Sequence, residues 1–413
     1  MITDRQSLNA WGHLPGVSSD VHAMTAEIVG WRRHLHQEPE VSHAEHDTQH
    51  WLIETLRGFG IDEVRGVAGT GVVAVIRGRS DGPAVMWRAD IDALPILQES
   101  TAPYISRRRG VMHACGHDGH TAIALGVAKV MHRHRAALPG PVKVVFQPAE
   151  EVGDGARPML AAGVLEDPSV AVAFGLHVDS SLETGTIGVS AGAFMPSPGS
   201  FELRISGRGG HAGLPHRSID PVITSAYVLT ALQTVISRNL PPDRAGLLSI
   251  GEIKGGTRGN IIPDEVFIAG TVRAFEPETL KLLKGRMEQV IGGLCAAFGA
   301  EFELEFRESI PAVVNDAGMA ALVRRTAEAL LGEERVLPDR TTMSDDMSLF
   351  LEARPGCYFL LGVRNEEWGI TEPNHSPRWD LDERALLIGV DLATRIVLAA
   401  AEQISTGAGR DHG

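Results

Sequence analysis

Residues 111–120 read V-M-H-A-C-G-H-D-G-H, placing three imidazoles, one thiol and one carboxylate within ten positions. A thiolate and a neutral imidazole are good ligands for a borderline metal ion. Cys115 and His117 are separated by one residue, so an extended segment would turn both toward one face. Gly116 and Gly119 permit the tight backbone path that a ligating loop needs. A lone C-x-H would ordinarily be a polar surface loop. This density of ligands, directly ahead of an apolar helical pattern over 121–131, points instead to a metal site.

Three other stretches carry groups of the same kind. Glu150 and Glu151 are adjacent carboxylates, an arrangement that is costly to bury unless positive charge lies beside it. Divided labour accounts for the pair: one binds metal, and the other acts as general base on an activated water. His177 follows an apolar run, and His375 stands in N-H-S-P between Pro373 and Pro377, the pattern of a rigid loop presenting its ring. Cys115, His117, Glu151, His177 and His375 make five candidate ligands. One catalytic zinc takes about three protein ligands plus water; five, with a thiolate or carboxylate able to bridge, suit two ions ~3.5–4 Å apart. A further polar cluster comprises residues 207–216, 255–264 and 271–273. Its glycines read as turn formers, and no βαβ unit with a downstream ribose-binding acid supports a nucleotide fingerprint. The histidine, asparagine and arginine there suit an oxyanion donor and a carboxylate clamp.

The elements that must position these groups follow from periodicity. Helical spacing covers residues 21–36 and 46–60, after a polar tail of about 20 residues. Short apolar runs at 72–76, 84–87, 142–146 and 170–176 read as buried strands, with a helix over 121–135 between the second and third. Three of these runs end in Arg88-Ala89-Asp90-Ile91-Asp92, in Gln147-Pro148-Ala149-Glu150-Glu151 and in His177. Ligand sites in open α/β sheets lie beyond the carboxyl ends of strands. The reading is therefore an α/β sandwich around a largely parallel sheet, with its chemistry at one edge. From 197 the order becomes strand 201–206, helix 220–238, strands 247–253 and 266–274, helix 277–298 and strand 302–306, the β-α-β-β-α-β order of a ferredoxin-like unit. We expect residues 1–196 and 309–413 to form the first domain, with 197–308 inserted. Helix 316–331, an acidic segment 344–350, strand 357–363, loop 374–380 and helix 383–404 then complete the first domain.

Composition narrows the function. The chain of 413 residues carries a formal charge of −14, with no basic stripe to offset it, which excludes a nucleic-acid partner. Three cysteines cannot build a disulfide framework, and no apolar run has signal-peptide or membrane-span length. A cytoplasmic protein without a membrane partner is expected.

Taken together, W-R-R-H-L-H-Q-E-P-E, R-A-D-I-D-A-L-P, H-A-C-G-H-D-G-H-T-A, F-Q-P-A-E-E, G-L-H-V, G-R-G-G-H-A-G-L-P-H, G-N-I-I-P-D-E and N-H-S-P resemble the M20 metallopeptidases over about residues 29–399. The resemblance is to their amidohydrolase branch, which includes hippurate hydrolases, N-acyl-L-amino-acid amidohydrolases and auxin-conjugate hydrolases. It implies a zinc-peptidase-like α/β/α catalytic domain with a lid and dimerisation domain inserted. It implies a binuclear site held by Cys115, His117, Glu151, His177 and His375, with Glu150 as general base and Asp90 orienting the site from behind. His211 would polarise the scissile carbonyl, and Asn260, with Arg273, would hold the substrate carboxylate. In such enzymes the inserted domain's residues typically come from the neighbouring subunit of a dimer; a homodimer or homotetramer is implied. Two divalent ions per subunit are implied: the thiolate favours Zn²⁺ on softness, relatives often use Mn²⁺, and Ni²⁺ and Co²⁺ occur. The implied reaction is hydrolysis of a small N-acyl amino acid to a carboxylic acid and a free amino acid. The rival readings are a dipeptidase and a non-catalytic ligand-binding relative, and Glu150 speaks against the latter. Two departures stand out: Asp345-Asp346-Met347 where relatives commonly have Glu-Asp-Phe, and Arg258 where a small residue is usual.

Overall fold

The computed structural model describes residue 14 and residues 16–407. Of the tail expected over about the first 20 residues, 1–13 and 15 lie outside these. Residues 17–22 are not tail: Ser19–His22 is a helical turn, and Val17 and Val21 are buried in the main core. The chain divides into two compact units, one made of residues up to 194, 314–340 and from 345 onward, the other of 195–313 with 341–344. The expected insertion, 197–308, falls inside the second.

The first unit is built on an eight-stranded sheet in the order Glu63–Val67, Gly71–Ile76, Val142–Gln147, Ala84–Asp90, Val170–Glu183, Gly356–Arg364, Ile187–Gly188, Val336–Leu337. Pairing is parallel among the four central strands and mixed at the flanks. Alternation along the central strands sorts side chains by face. Val85, Trp87 and Ala89, with Val144, Phe146, Phe174, Leu176 and Phe359, join the main apolar core with the helices Thr25–Gln37, His46–Gly58, His117–Arg133 and Arg384–Thr406. Arg88, Asp90, Gln147, His177 and Tyr358 belong to the opposite parity. The sheet therefore has one oily face and one that carries polar chemistry.

Several element ends differ from the sequence reading, each for a physical reason. The strand beginning at Ala84 runs to Asp90, so Arg88 and Asp90 lie within it; they are fully buried and bonded to each other at 2.8 Å, which lets a charged pair continue a core strand. His177 does not close its strand, which extends to Glu183 because Gly356–Arg364 pairs alongside it. The helix expected from 121 starts at His117, and Gly116 before it has φ +93°. The segment through Cys115 and His117 is thus a left-handed glycine turn into a helix, not an extended run. A Cβ on Gly116 would lie 2.2 Å from Val178 Cγ2. The strand Glu63–Val67 (E-V-R-G-V) was too short and polar to register as one.

The second unit has a four-stranded antiparallel sheet, Gly246–Gly255, Glu265–Ala274, Ser197–Ser206, Glu301–Glu308, under helices Pro221–Asn239 and Pro277–Phe298. Asp220 caps the first helix by accepting from the N–H groups of Val222 and Ile223. Phe201, Leu203, Ile205, Val228, Leu232, Ile268, Leu283 and Met287 fill its own core. The strand and helix order is that of the ferredoxin-like unit.

The helices His117–Arg133 and Arg384–Thr406 cross closely at Gly126, where a Cβ would stand 2.5 Å from Val390 Cγ2. Gly126→Leu is expected to destabilise the protein by about 1–3 kcal/mol through overpacking. A lower urea midpoint at unchanged slope checks this; an unchanged midpoint would show that the crossing is not tight.

Candidate metal centre

Each chemical group is delivered to the carboxyl edge of the sheet by a different piece of chain. The Gly116 turn ends at His117, on the first turn of its helix; Glu150 and Glu151 lie in the loop after Val142–Gln147; His177 is mid-strand in Val170–Glu183. His375 lies on the loop before Arg384–Thr406 at φ +69°, its N–H donating to Ala114 O at 2.8 Å. Asn374 ties that loop to the others: its Nδ2 donates to Cys115 O at 3.1 Å, and its Oδ1 accepts from Ser180 Oγ at 2.9 Å.

The five predicted ligands and Glu150 converge. Cys115 Sγ is 3.5 Å from His177 Nε2. His117 Nε2 is 3.8 Å from Glu150 Oε2 and 3.8 Å from Glu151 Oε1, and His375 Nε2 is 3.5 Å from Glu151 Oε2. Ligand atoms of Cys115, His117 and His177 form one group within 4.8 Å, and those of Cys115, Glu151 and His375 another, so the thiol is common to both.

Hydrogen bonding dictates which imidazole nitrogens are free. His117 Nδ1 lies 2.9 Å from Asp92 O and 3.2 Å from Asp92 Oδ1, so in the neutral ring it carries the proton and Nε2 has the lone pair; against burial, Asp90 and the bond to Asp92 raise the His117 pKa, so a metal at Nε2 displaces a proton. His177 Nδ1 donates to Val178 O at 2.7 Å, again leaving Nε2. His120 is the opposite case: its Nε2 accepts from Val178 N–H at 2.8 Å and its Nδ1 donates to Asp90 Oδ1 at 2.6 Å. Both its nitrogens are used, so His120 braces the helix against the strand and has no lone pair to offer. The buried His117 Nε2 and Glu151 Oε1 have no hydrogen-bond partner. Acceptor atoms that face one another with no donor between them fit divalent cations, and the thiol, imidazole and carboxylate set fits as a dinuclear pair.

Burial shapes the electrostatics. It raises Glu150 well above the ordinary carboxylate range, with Asp345, Asp346 and Glu151 adding to the effect. Burial also pushes Glu151 up to about 7, with Asp92 and Asp90 contributing. It draws His177 down to about 4, helped by His120, and it raises the Cys115 thiol.

Asp90 accepts from Arg88 at 2.8 Å and from His120, and stands 3.7 Å from His117 Nδ1. The nearer carboxylate is Asp92, which the sequence reading passed over. The alternation in R-A-D-I-D, which puts Arg88, Asp90 and Asp92 on one face, was the available signal. His211, Asn260 and Arg273 all lie in the second unit. His211 is exposed and pairs with Ile261 in a two-residue ladder, and Ala212 N–H donates to Asn260 O at 3.2 Å, so these two predicted residues are neighbours. Arg273 is half-buried at the far end of its strand, donating to Thr271 Oγ1 at 2.7 Å. Arg258 is exposed and has no structural role that we find.

Residues 86–399 match peptidase family M20/M25/M40, and the chain belongs to that family. It is 38% identical over 388 residues to an N-acetylcysteine deacetylase of Bacillus subtilis, covering 92% of this chain and 99% of that one. An N-acyl-L-amino acid amidohydrolase of Geobacillus stearothermophilus is 41% identical over 296 residues, 71% of this chain and 80% of that one. A crystal structure from Bacillus subtilis described as a dinuclear metal-binding peptidase of the M20 family superposes with a TM-score of 0.81 at 35% identity, covering 92% of this chain and 99% of that one. The chain falls in the amidohydrolase branch and is a metal-dependent amidohydrolase with a mixed α/β catalytic fold. Among the described residues no helix is long and apolar enough to cross a membrane.

Ligation requires the Glu151 carboxylate, and the folded, metal-free protein holds its proton up to about pH 7. Protons therefore compete below that value. Cys115 and His117 must also shed protons that the fold holds tightly, so metal affinity is expected to climb with pH throughout, and less steeply, by about tenfold per unit, once Glu151 is ionised above roughly pH 7. Competition with a chelator at a series of pH values from about 6 to 8.5 measures this; a slope that does not ease near pH 7 would show that Glu151 does not ligate.

Proposed function

We propose that the protein hydrolyses the amide of small N-acyl-L-amino acids, with Cys115, His117, Glu151, His177 and His375 holding two divalent ions, Zn²⁺ or Mn²⁺. The observation that supports this most directly is the convergence of those five side chains in two groups that share Cys115, with His117 and Glu151 reaching in turn to a buried Glu150 whose proton affinity is raised. The bound ions supply Lewis acidity toward a carbonyl oxygen and acidify water.

Glu150 takes the proton of the attacking water and returns it to the leaving nitrogen. A carboxylate whose proton affinity is raised by burial takes that proton more readily than one in the ordinary range. His211 Nδ1 accepts from Gly213 N–H at 2.9 Å, so in the neutral ring the hydrogen sits on Nε2 and points outward as a donor for the developing oxyanion. Asn260, next to it in the fold, holds the substrate carboxylate; Arg273, half-buried at the opposite end of Glu265–Ala274 with its pKa lowered by burial, is the weaker candidate for that clamp and would reach it only from the other subunit. We place His211 and Asn260 in the partner's centre in a homodimer, with the second unit acting as lid. Asp92 fixes the His117 tautomer, and Asp90 does the same for His120.

Glu150→Gln keeps the shape of the site and removes the base. It is expected to lower kcat for hippurate or N-acetyl-methionine about 10²–10⁴-fold while metal content stays at two per chain. Full turnover by that variant, loaded with metal, would overturn the mechanism. Elemental analysis of the purified protein, with activity before and after chelation and on return of Zn²⁺ or Mn²⁺, identifies the working ion.

A further inference from the structure

The segment Asp345-Asp346 has no assigned role, and its geometry gives it one. The loop 148–155 carries Glu150 and Glu151 and is pinched at its neck. A Cβ on Gly155 would lie 1.6 Å from Pro148 O, so the two ends of the loop are in backbone contact. Asp346 sits at that neck, fully buried. Its Oδ2 accepts from Gly155 N–H at 3.1 Å and Ala156 N–H at 2.9 Å, on the outgoing side. Its Oδ1 accepts from Gln147 Nε2 at 2.6 Å and Arg88 Nη2 at 3.0 Å, on the incoming side. Arg88 Nε in turn donates to Gln147 Oε1 at 2.9 Å, which fixes the orientation of that amide. Further along, Ala149 N–H donates to Glu45 Oε1 at 2.9 Å and Glu151 N–H to Asp92 Oδ2 at 3.0 Å. Acids from three other parts of the chain thus hold the loop by its backbone.

We infer that Asp346 is a positioning residue: it clamps both ends of the loop and so sets where Glu150 and Glu151 point. All four of its partners are donors, and a carboxylate offers lone pairs on both oxygens. An amide of the same shape offers one acceptor oxygen and turns an NH₂ group toward donors on the other side. The isosteric change should therefore release one end of the neck. Asp345 is the natural comparator. It too is buried beside Arg88, but its bonds go to Met347 N–H at 2.7 Å and Tyr358 Oη at 2.6 Å, not to the loop.

The test uses the full chain in three variants, Asp346→Asn, Asp345→Asn and Gly155→Ala. The last forces the neck apart with Asp346 intact and serves if Asp346→Asn does not fold. Amide exchange at 149–156 is measured on metal-free protein, followed by Co²⁺ titration read from its visible spectrum. Asp346→Asn and Gly155→Ala are expected to speed exchange at Gly155 and Ala156 at least tenfold and to weaken Co²⁺ binding about 10–100-fold, while Asp345→Asn changes Co²⁺ affinity by less than about threefold. In turnover, kcat should fall and KM stay within about threefold. Unchanged exchange and affinity in both neck variants would overturn the inference, as would an equal loss in Asp345→Asn, which would assign the effect to charge around Arg88. The inference rests on the proposed role of Glu151 for the Co²⁺ readout and of Glu150 for the turnover readout; amide exchange depends on neither. If no N-acyl amino acid is cleaved by the wild type while exchange and Co²⁺ binding respond as stated, the substrate reading fails and the clamp stands.

Discussion

Crowded negative charge at the carboxyl edge of the sheet is the constraint on which the first unit depends. Asp90, Asp92, Asp118, Glu150, Asp345 and Asp346 are all buried there. Two buried guanidinium groups stand among them. Arg88 reaches Asp90, Asp345 and Asp346; Arg32 reaches Asp118, Asp380 and Glu383. Burying such groups is expensive, and pairing them adds little net stability over an apolar core. Their value lies in geometry, because a buried charge tolerates few alternative partners. Each carboxylate is met by a guanidinium, a backbone N–H or an imidazole N–H, with one group of exceptions. Glu151 Oε1 has no hydrogen-bond partner and stands 3.8 Å from His117 Nε2, which has none either, and that is where a divalent cation fits.

The two arginines divide the site between them. Arg88 serves the side built from the strands, through Gln147 and the acids of 345–346. Arg32 serves the side built from loops. Its Nε bonds Asp118, one residue past His117, and its Nη2 bonds Asp380, five residues past His375, each at 2.8 Å. Tyr104 Oη adds a bond to Asp380 at 2.9 Å, and His36 Nδ1 lies 2.7 Å from Asp118. A histidine at the start of a helix and a histidine on a loop about 260 positions later are thus referred to one rigid cation. This is why W-R-R-H-L-H, far from every ligand in sequence, belongs to the same site.

Much of this was legible beforehand, and the remainder was hidden for identifiable reasons. Candidate ligands announce themselves by type, and strand endings by the switch from apolar to ionisable residues, so Cys115, His117, Glu150, Glu151 and His177, which the fold brings together, are legible in the sequence. Strand ends are not, because Arg88 and Asp90 look like loop residues until their partners are known: Asp345 and Asp346, more than 250 positions away, for Arg88, and Arg88 with His120 for Asp90. His120 is of the same type as His117 and stands outside the five candidate ligands; the physical reason is the Val178 N–H that occupies its Nε2. Asp346 was invisible as a clamp because its work is done on backbone N–H groups, which carry no sequence signature. The Gly116 turn was half visible: the glycine was noticed, but a left-handed turn and an extended strand both place Cys115 and His117 near one another.

The interrupted first unit has a consequence for how the protein comes off the ribosome. Strand Val170–Glu183 takes its second neighbour from Gly356–Arg364, and the whole inserted unit is synthesised between them. During that interval a long apolar strand holds an unpaired edge, the hazard that sheet proteins usually hide. His177 waits on that strand, and His375 has not yet been made. A nascent chain is therefore exposed to wrong pairing and to premature capture of metal by an incomplete ligand set until residues past 375 emerge. The bulk of the inserted unit, with its own core, can fold meanwhile, whereas the sheet closes only when Gly356–Arg364 pairs with Val170–Glu183, and the centre is complete only when the chain beyond that strand has brought His375 into place.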